Sequence, residues 1–248
     1  MNPTFHHTDL IEDIIKKNYH NAFVLYSLGI PFYHYEKIAL ESVCQQKKLE
    51  IDYVLHLLSE ANFSIGSEIR KLKNTTVEAI IGYLKHQHIF FLQKKIPFIA
   101  HLIENLPEKK RLFTDLQLMF PLFAEDFIHH IHEEEDSFFY YILSLVKASK
   151  SIINKAQLYE LLQKYSIQEF ALAHDTHDDE MQGIRQLTNH YQLPEKASLF
   201  VQVVYFHLQD LEHHLQQHAY IENEILFPKA LVLENTLKQE FFEQSKWN

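Results

Sequence analysis

Four glycines and seven prolines in 248 residues leave little turn chemistry for a many-stranded fold, because tight hairpins depend on residues that tolerate positive φ or fix it in advance. The shortage favours long helices joined by few loops. The single cysteine, Cys44, excludes an internal disulfide framework and any all-cysteine metal site. No apolar run approaches the roughly 20 residues needed to span a bilayer, and the opening MNPTFHHTDL lacks the charged-then-apolar pattern of a secretory signal. Positive charge is also scarce. The formal net charge is -10 with histidine neutral, and KKIPF and PEKKR read as solvated helix ends rather than a basic patch. That balance argues against a phosphate-backbone partner. The expectation is a cytoplasmic protein with no membrane and no nucleic-acid partner.

What the chain has in quantity is apolar surface and histidine. Hydrophobic residues make up 46% of it, enough for a real core, and there are eighteen histidines. The apolar pattern divides near FSIGSEIRKLKNT, residues 63 to 75, where Gly, Ser, Asn and charges interrupt it. Residues 1–65 read as a small helical module: DLIEDIIKKNYHNAFVLYSLGI as one helix stopping at Gly29–Pro31, then YEKIALESVCQQKKL and IDYVLHLLSEA. Residues 72–248 read as a bundle of four long amphipathic segments. The first follows Thr75–Thr76, plausible N-caps. The second spans about 108 to 148, with Pro121 expected to kink or interrupt it. The third, IQEFALAHDTHDDEMQGIRQLTNHY, stops before Pro194. The fourth extends to Pro228, and a short last helix ends the chain. The fold class is all-α: a four-helix bundle preceded by a small helical domain.

Two stretches share an unusual spacing. HIHEEEDSFFYYI puts His130 four residues before Glu134, and HAYIENEILFPKA puts His218 four residues before Glu222. Residues i and i+4 lie on one helix face. Phe127, Ile131, Phe138 and Tyr141 flank the first pair, and Leu211, Leu215, Ile225 and Leu226 the second, so both faces point inward. Ionisable groups on an inward face are costly unless they pair or bind a metal. A single pair has a bland reading, a buried His–Glu hydrogen bond. Two pairs on the second and fourth segments, with His86 and His88 on the first and His174 and His177 on the third, outnumber the ligands of one tetrahedral zinc. Four imidazoles and two carboxylates suit two irons, with manganese or zinc as other occupants. The set is richer in nitrogen than ferritin-like sites, whose spacing is Glu-x-x-His.

These residues resemble the iron–sulfur cluster repair di-iron proteins, the RIC or YtfE/ScdA family, whose C-terminal domain is hemerythrin-like. The match is specific in IRQLTNHYQLPEKA and DLEHHLQQHAYIENEILFPKA, and HIHEEEDSFFYYI resembles the family's first His-x-x-x-Glu segment. Position by position, the resemblance implies metal ligands at His130, Glu134, His218 and Glu222, and at His177, where Thr176 replaces the usual preceding Glu. It also implies His88 on the first helix, judged by distance from Pro97, with His86 the close competitor. The implied cofactor is two non-haem irons, bridged by carboxylate and by oxo. The N-terminal module is similar to the small first domain of ScdA-type chains, but Tyr33, His34, Tyr35 and Glu36 stand where that family has Cys-Cys-Gly-Gly, and only Cys44 remains. Thiol chemistry there is not expected, whereas an aromatic contact through FYHYE is. No counterpart of the family's Val-His-Gly element occurs near Lys109–Lys110. The function implied is repair of iron–sulfur clusters damaged by nitric oxide or peroxide, with damaged iron–sulfur proteins or small gases as partners and a homodimer allowed. The alternative is a hemerythrin-like oxygen or nitric oxide sensor. A third reading is a bundle that keeps its polar pairs and binds no metal.

Overall fold

The computed structural model describes residues 4–61, 66–106, 111–175 and 179–245. Among these residues the fold is all-α: there is no strand, and Leu10 and Ala39 form an isolated antiparallel bridge. No helix among them is long and apolar enough to cross a membrane. The chain divides into two compact units. One comprises Met1–Ser64, Ile96–Leu118 and Ile184–Leu211, and the other Ile65–Lys95, Met119–Gly183 and Glu212–Asn248.

In the first unit, the segment read as one helix is two, α1 (Ile11–Lys17) and α2 (Asn21–Ser27). Asn18 causes the break. Its backbone is extended at φ -159°, ψ 112°, its Oδ1 accepts from the His20 N–H at 3.0 Å, and its Nδ2 donates to the Ala61 carbonyl at 3.3 Å. An asparagine that satisfies nearby backbone groups competes with the helical ladder. The stop at Gly29 is as expected. Gly29 sits at φ 75°, and its N–H donates to Tyr26 O while Ile30 N–H donates to Leu25 O, both at 2.9 Å. This paired closure needs a left-handed residue, which glycine adopts without strain. Helices α3 (Leu40–Lys47) and α4 (Ile51–Glu60) follow. Their buried Val43, Val54 and Leu58 join Ile11, Ile14, Leu25 and Phe32 in the core of this unit. Within this unit Tyr33 of the FYHYE stretch packs edge-on against Phe200 at 4.8 Å, and its hydroxyl is 2.9 Å from His101 Nε2.

Next along the chain, in the second unit, comes α5 (Gly66–Leu72), and the longer helices after it contribute residues to both units. Helix α6 runs through Val77–Phe90, a π turn at Phe91–Lys95, and Ile96–Glu104. Thr76 caps it, its hydroxyl accepting from the Ala79 N–H at 3.3 Å. Helix α7 runs through Arg111–Glu133, a π turn at Glu134–Phe139, and Tyr140–Ser149. Of the kink or interruption expected at Pro121, the interruption does not occur, since the helix continues past it. Helices α8 (Lys155–Lys164) and α9 (Ile167–Asp175) follow, then α10 (Gln182–Leu187). The third long segment is thus seen as two shorter helices with residues 176–178 outside those described. Helix α11 runs through Leu199–Ile221, a π turn at Glu222–Leu226, and Phe227–Ser245. Here the expected stop at Pro228 fails. The Phe227 N–H already reaches back five residues to Glu222 O, so the ladder has changed register before the proline, whose missing N–H then does less damage.

The core of the second unit is continuous. Ile80, Ile81 and Leu84 from α6, Phe138, Phe139, Tyr141, Ile142 and Leu145 from α7, and Ile221, Ile225, Leu226 and Ala230 from α11 form one buried cluster, which Leu158 and Ile167 join. Emptying a large aromatic from such a core costs about 3–5 kcal/mol, so these positions hold the inner faces of α6, α7 and α11 in place. One buried polar network crosses the cluster. Tyr141 Oη donates to Glu234 Oε1 at 2.6 Å, the Ile167 N–H donates to the same oxygen at 3.2 Å, and Lys238 Nζ lies 3.1 Å from Oε2. Burial, and then the Glu234 carboxylate, push the Tyr141 hydroxyl well above its ordinary range.

Candidate metal centre

Among the described residues there are three π turns, and each begins at a candidate ligand or within one turn after it. Glu134 and Glu222 are the first residues of theirs, and His88 lies one turn before the one at Phe91–Lys95. Single π turns inside α-helices are frequent at functional sites. A π turn spreads one extra residue over the turn, which alters where side chains project. In α6 and α11 a proline follows at the same offset, Pro97 and Pro228.

The result is a buried convergence of His88, Glu134, His218 and Glu222. One donor atom from each lies within 4.8 Å of all the others, and none of the four residues is more than 5% exposed. The two imidazole Nε2 atoms stand 3.1 Å apart. Glu134 Oε2 is 3.3 Å from His88 Nε2 and 3.9 Å from His218 Nε2, and Glu222 Oε1 is 3.2 Å from His218 Nε2. Phe139 stacks parallel to the His88 ring at 5.7 Å, and Phe91 meets His218 edge-on at 5.9 Å. The rings are thus held on the core side by packing.

The other ring nitrogen of each histidine is engaged outward. His88 Nδ1–H donates to Glu135 Oε1 at 2.8 Å, and Glu135 Oε2 is tied to Lys85 Nζ at 3.0 Å. His218 Nδ1–H donates to Gln87 Oε1 at 2.9 Å, while Gln87 Nε2 donates to Tyr83 Oη at 3.1 Å. Metal-bound histidines show this pattern, one nitrogen on the ion and the other N–H on a carboxylate or carbonyl that fixes the tautomer and the ring. Burial opposes ionisation of Glu135, but hydrogen bonds from His88 and Lys85 outweigh it and hold the carboxyl below the usual range. Burial alone would lower His218. The Glu222 and Glu134 carboxylates prevail and raise it to about 10. Two imidazoles and two carboxylates gathered this tightly, away from water, have to share a proton or a cation. A divalent ion with a preference for imidazole and carboxylate fits that set.

The structure treats the six ligands expected from sequence differently. His88, Glu134, His218 and Glu222 come together, whereas His86 is on an exposed face of α6. His130 stands at the margin, its Nε2 3.9 Å from Glu134 Oε2 and its Nδ1 3.7 Å from Glu180 Oε1, with a quarter of its side chain exposed. His177 and the side chain of His174 lie outside the described residues. Sequence reasoning missed Gln87, Glu135 and Glu180. The available signal was adjacency, since Gln87 precedes His88 and Glu135 follows Glu134. A cavity of about 50 Å³ lies beside the cluster, bounded by Phe127, His130, Glu180, Met181, His218 and Glu222. It has room for a few water-sized molecules.

No family model matches the chain. Among curated proteins it is 22% identical over 227 residues to an iron–sulfur cluster repair protein ScdA of Staphylococcus epidermidis, covering 90% of this chain and 97% of that one. It is 19% identical over 213 residues to the protein of the same name in Staphylococcus haemolyticus, covering 84% of this chain and 91% of that one. The similarity is low in identity but nearly complete in coverage on both sides: along most of its length the chain is similar to proteins that bear the ScdA name.

Proposed function

We propose that this protein is a non-haem iron protein that acts in the repair of damaged iron–sulfur clusters, using the centre built on His88, Glu134, His218 and Glu222. The observation that carries the metal reading is the double orientation of the histidines: Nε2 atoms converge on two buried carboxylates while each Nδ1–H is held by an outer acceptor. The repair reading rests on the relatives that bear that name. His130 and His177 are the residues proposed to extend the four-residue set to two ions.

Bound iron would supply a redox-active ion with a coordination position exchangeable for a small ligand. The chain's own groups then have distinct tasks. Glu135 and Gln87 fix the tautomers of His88 and His218, so neither ring needs to reorient on loading. Phe91 and Phe139 pack against those rings and keep water from the core side. Glu134 faces both Nε2 atoms, so its carboxylate would help hold an ion together with either imidazole. The Glu222 and Glu134 carboxylates favour a proton on His218 at neutral pH when no cation is there. The cavity beside His130 and Met181 admits a molecule of diatomic size. That last feature also favours the second reading, reversible binding of oxygen or nitric oxide for sensing.

Metal analysis and activity recovery test the proposal together. The purified chain is expected to hold about two irons, and Glu222→Ala at least one fewer with unchanged helical content. Addition of the loaded wild type, but not of the variant, is expected to restore a nitric-oxide-damaged iron–sulfur enzyme. Equal iron in the variant sinks the ligand assignment. Gas binding with no restoration favours sensing.

A further inference from the structure

The first unit contains a second convergence of metal-ligating groups, made by His20, His207 and Asp210. Their donor atoms lie within 4.8 Å of one another. His207 and Asp210 are three residues apart on α11 and so share a face, and His20 immediately precedes α2. His207 is fully buried. Its Nε2–H donates to the Tyr19 carbonyl at 3.0 Å, and a carbonyl can only accept, so the tautomer is fixed and Nδ1 is the nitrogen that carries the lone pair. Phe98 and Phe206 meet the ring edge-on at 4.9 and 5.1 Å and immobilise it. Phe206 also packs on His20, at 4.9 Å. The remaining two groups reach water, the His20 side chain being 18% and that of Asp210 14% exposed.

At 3.9 Å, His20 Nδ1 and Asp210 Oδ2 are beyond hydrogen-bond reach. Neighbouring ligand atoms on a tetrahedral ion stand about 3.3 Å apart at metal–ligand distances of about 2.0–2.1 Å, so small side-chain rotations of the two part-exposed groups would close the triangle. One buried imidazole locked by a backbone carbonyl, with two accessible ligands, is the layout of a site with its rigid part formed in advance.

We propose that His20, His207 and Asp210 form a mononuclear site for a divalent first-row transition ion of the zinc or ferrous class, with a coordination position left for water. Two imidazoles and one carboxylate suit those ions and disfavour calcium and magnesium, which take oxygen. Three protein ligands and an open position distinguish such a site from a closed structural one. It is independent of the centre on His88 and His218, sharing no residue with it.

Cobalt(II) titration of the metal-free full chain tests this, since the ion reports its coordination by visible absorption. Glu222→Ala is expected to keep the equivalent bound at His20, His207 and Asp210, with low-coordinate cobalt bands, beside any ion that its altered first centre still holds. A His20→Ala/Asp210→Ala variant is expected to lose that equivalent, or bind it at least ~100-fold more weakly, given that loss of an outer-shell partner alone costs about 10–100-fold. Asp210→Asn, nearly the same shape, guards against misfolding and is expected to weaken the same equivalent. Unchanged cobalt binding in a helical double variant, or in Asp210→Asn if the double variant unfolds, overturns the proposal. Bands typical of octahedral hexaaqua cobalt throughout the titration also overturn it.

Discussion

Replacing Gln87 by leucine removes two buried hydrogen bonds without touching a candidate ligand. Gln87 Oε1 accepts from His218 Nδ1–H at 2.9 Å, and its amide donates to Tyr83 Oη at 3.1 Å. The shape of the side chain is nearly kept, so packing is not the main loss. A buried donor left without its acceptor costs about 1–3 kcal/mol, and the second bond about 0.5–1.5 kcal/mol. Together these predict a loss of about 1.5–4.5 kcal/mol in the metal-free chain, or some 3–18 °C in Tm at about 2–4 °C per kcal/mol for a chain of this size. A ring no longer held in one tautomer should also bind metal about 10–100-fold more weakly. Thermal unfolding of the metal-free chain reads the first effect, and competition against a chelator of known affinity reads the second. Gln87→Glu, which keeps an acceptor for Nδ1–H, should recover most of the metal affinity. Wild-type metal affinity in Gln87→Leu, alongside the expected fall in stability, would refute the assignment of His218 as a ligand through Nε2.

His218 also sets a pH dependence. Its pKa in the folded, metal-free chain is raised to about 10 from an ordinary value of about 6.5. Its contribution to stability is therefore complete below pH ~6.5 and is lost as pH climbs toward 10. Denaturant midpoints of the metal-free chain at pH 6, 8 and 10 should fall in that order, and a flat profile contradicts the raised value. Tyr141→Phe removes a donor from the buried Glu234 carboxylate at 2.6 Å and should cost about 1.5–3 kcal/mol by urea unfolding; a neutral result means the carboxylate is satisfied without it. Cys44 is buried and burial raises its thiol, so alkylation by iodoacetamide at pH 7.5 should be much slower in the native chain than in urea. Equal rates in the two states would refute that.

The period of the apolar residues made the long segments legible, and the repeated His-x-x-x-Glu spacing marked Glu134, His218 and Glu222 as inward. Spacing did not choose between His86 and His88. They are two residues apart and so fall on opposite sides of α6, and both have apolar neighbours in KHQHIFF. The choice needs the partner helices, where Glu135 and His218 meet His88. The outer acceptors were invisible for a related reason: Gln87 and Glu135 sit beside candidate ligands, where sequence reads them as surface polar residues. His20, His207 and Asp210 were illegible as a group because one of them is nearly 190 residues from the others in the chain. Pro228 misled in the opposite direction. A proline normally ends a helix, but the π turn before it had already shifted the ladder.

The three π turns make residue count an adjustable part of the centre. Each holds one residue more than the α turn it replaces, so everything downstream is rotated by about 100° relative to an uninterrupted helix. The stretch carrying His218 and the stretch carrying Glu234 thus belong to one helix but keep separate angular phases. Deleting one residue among 223–226 would leave two amphipathic stripes that still look helical in sequence. It would also turn the Tyr141–Glu234 network and the His218–Glu222 pair out of alignment with each other. In such helices a one-residue insertion or deletion is a more drastic change than most substitutions of the ligands' neighbours, although composition and hydropathy would scarcely register it.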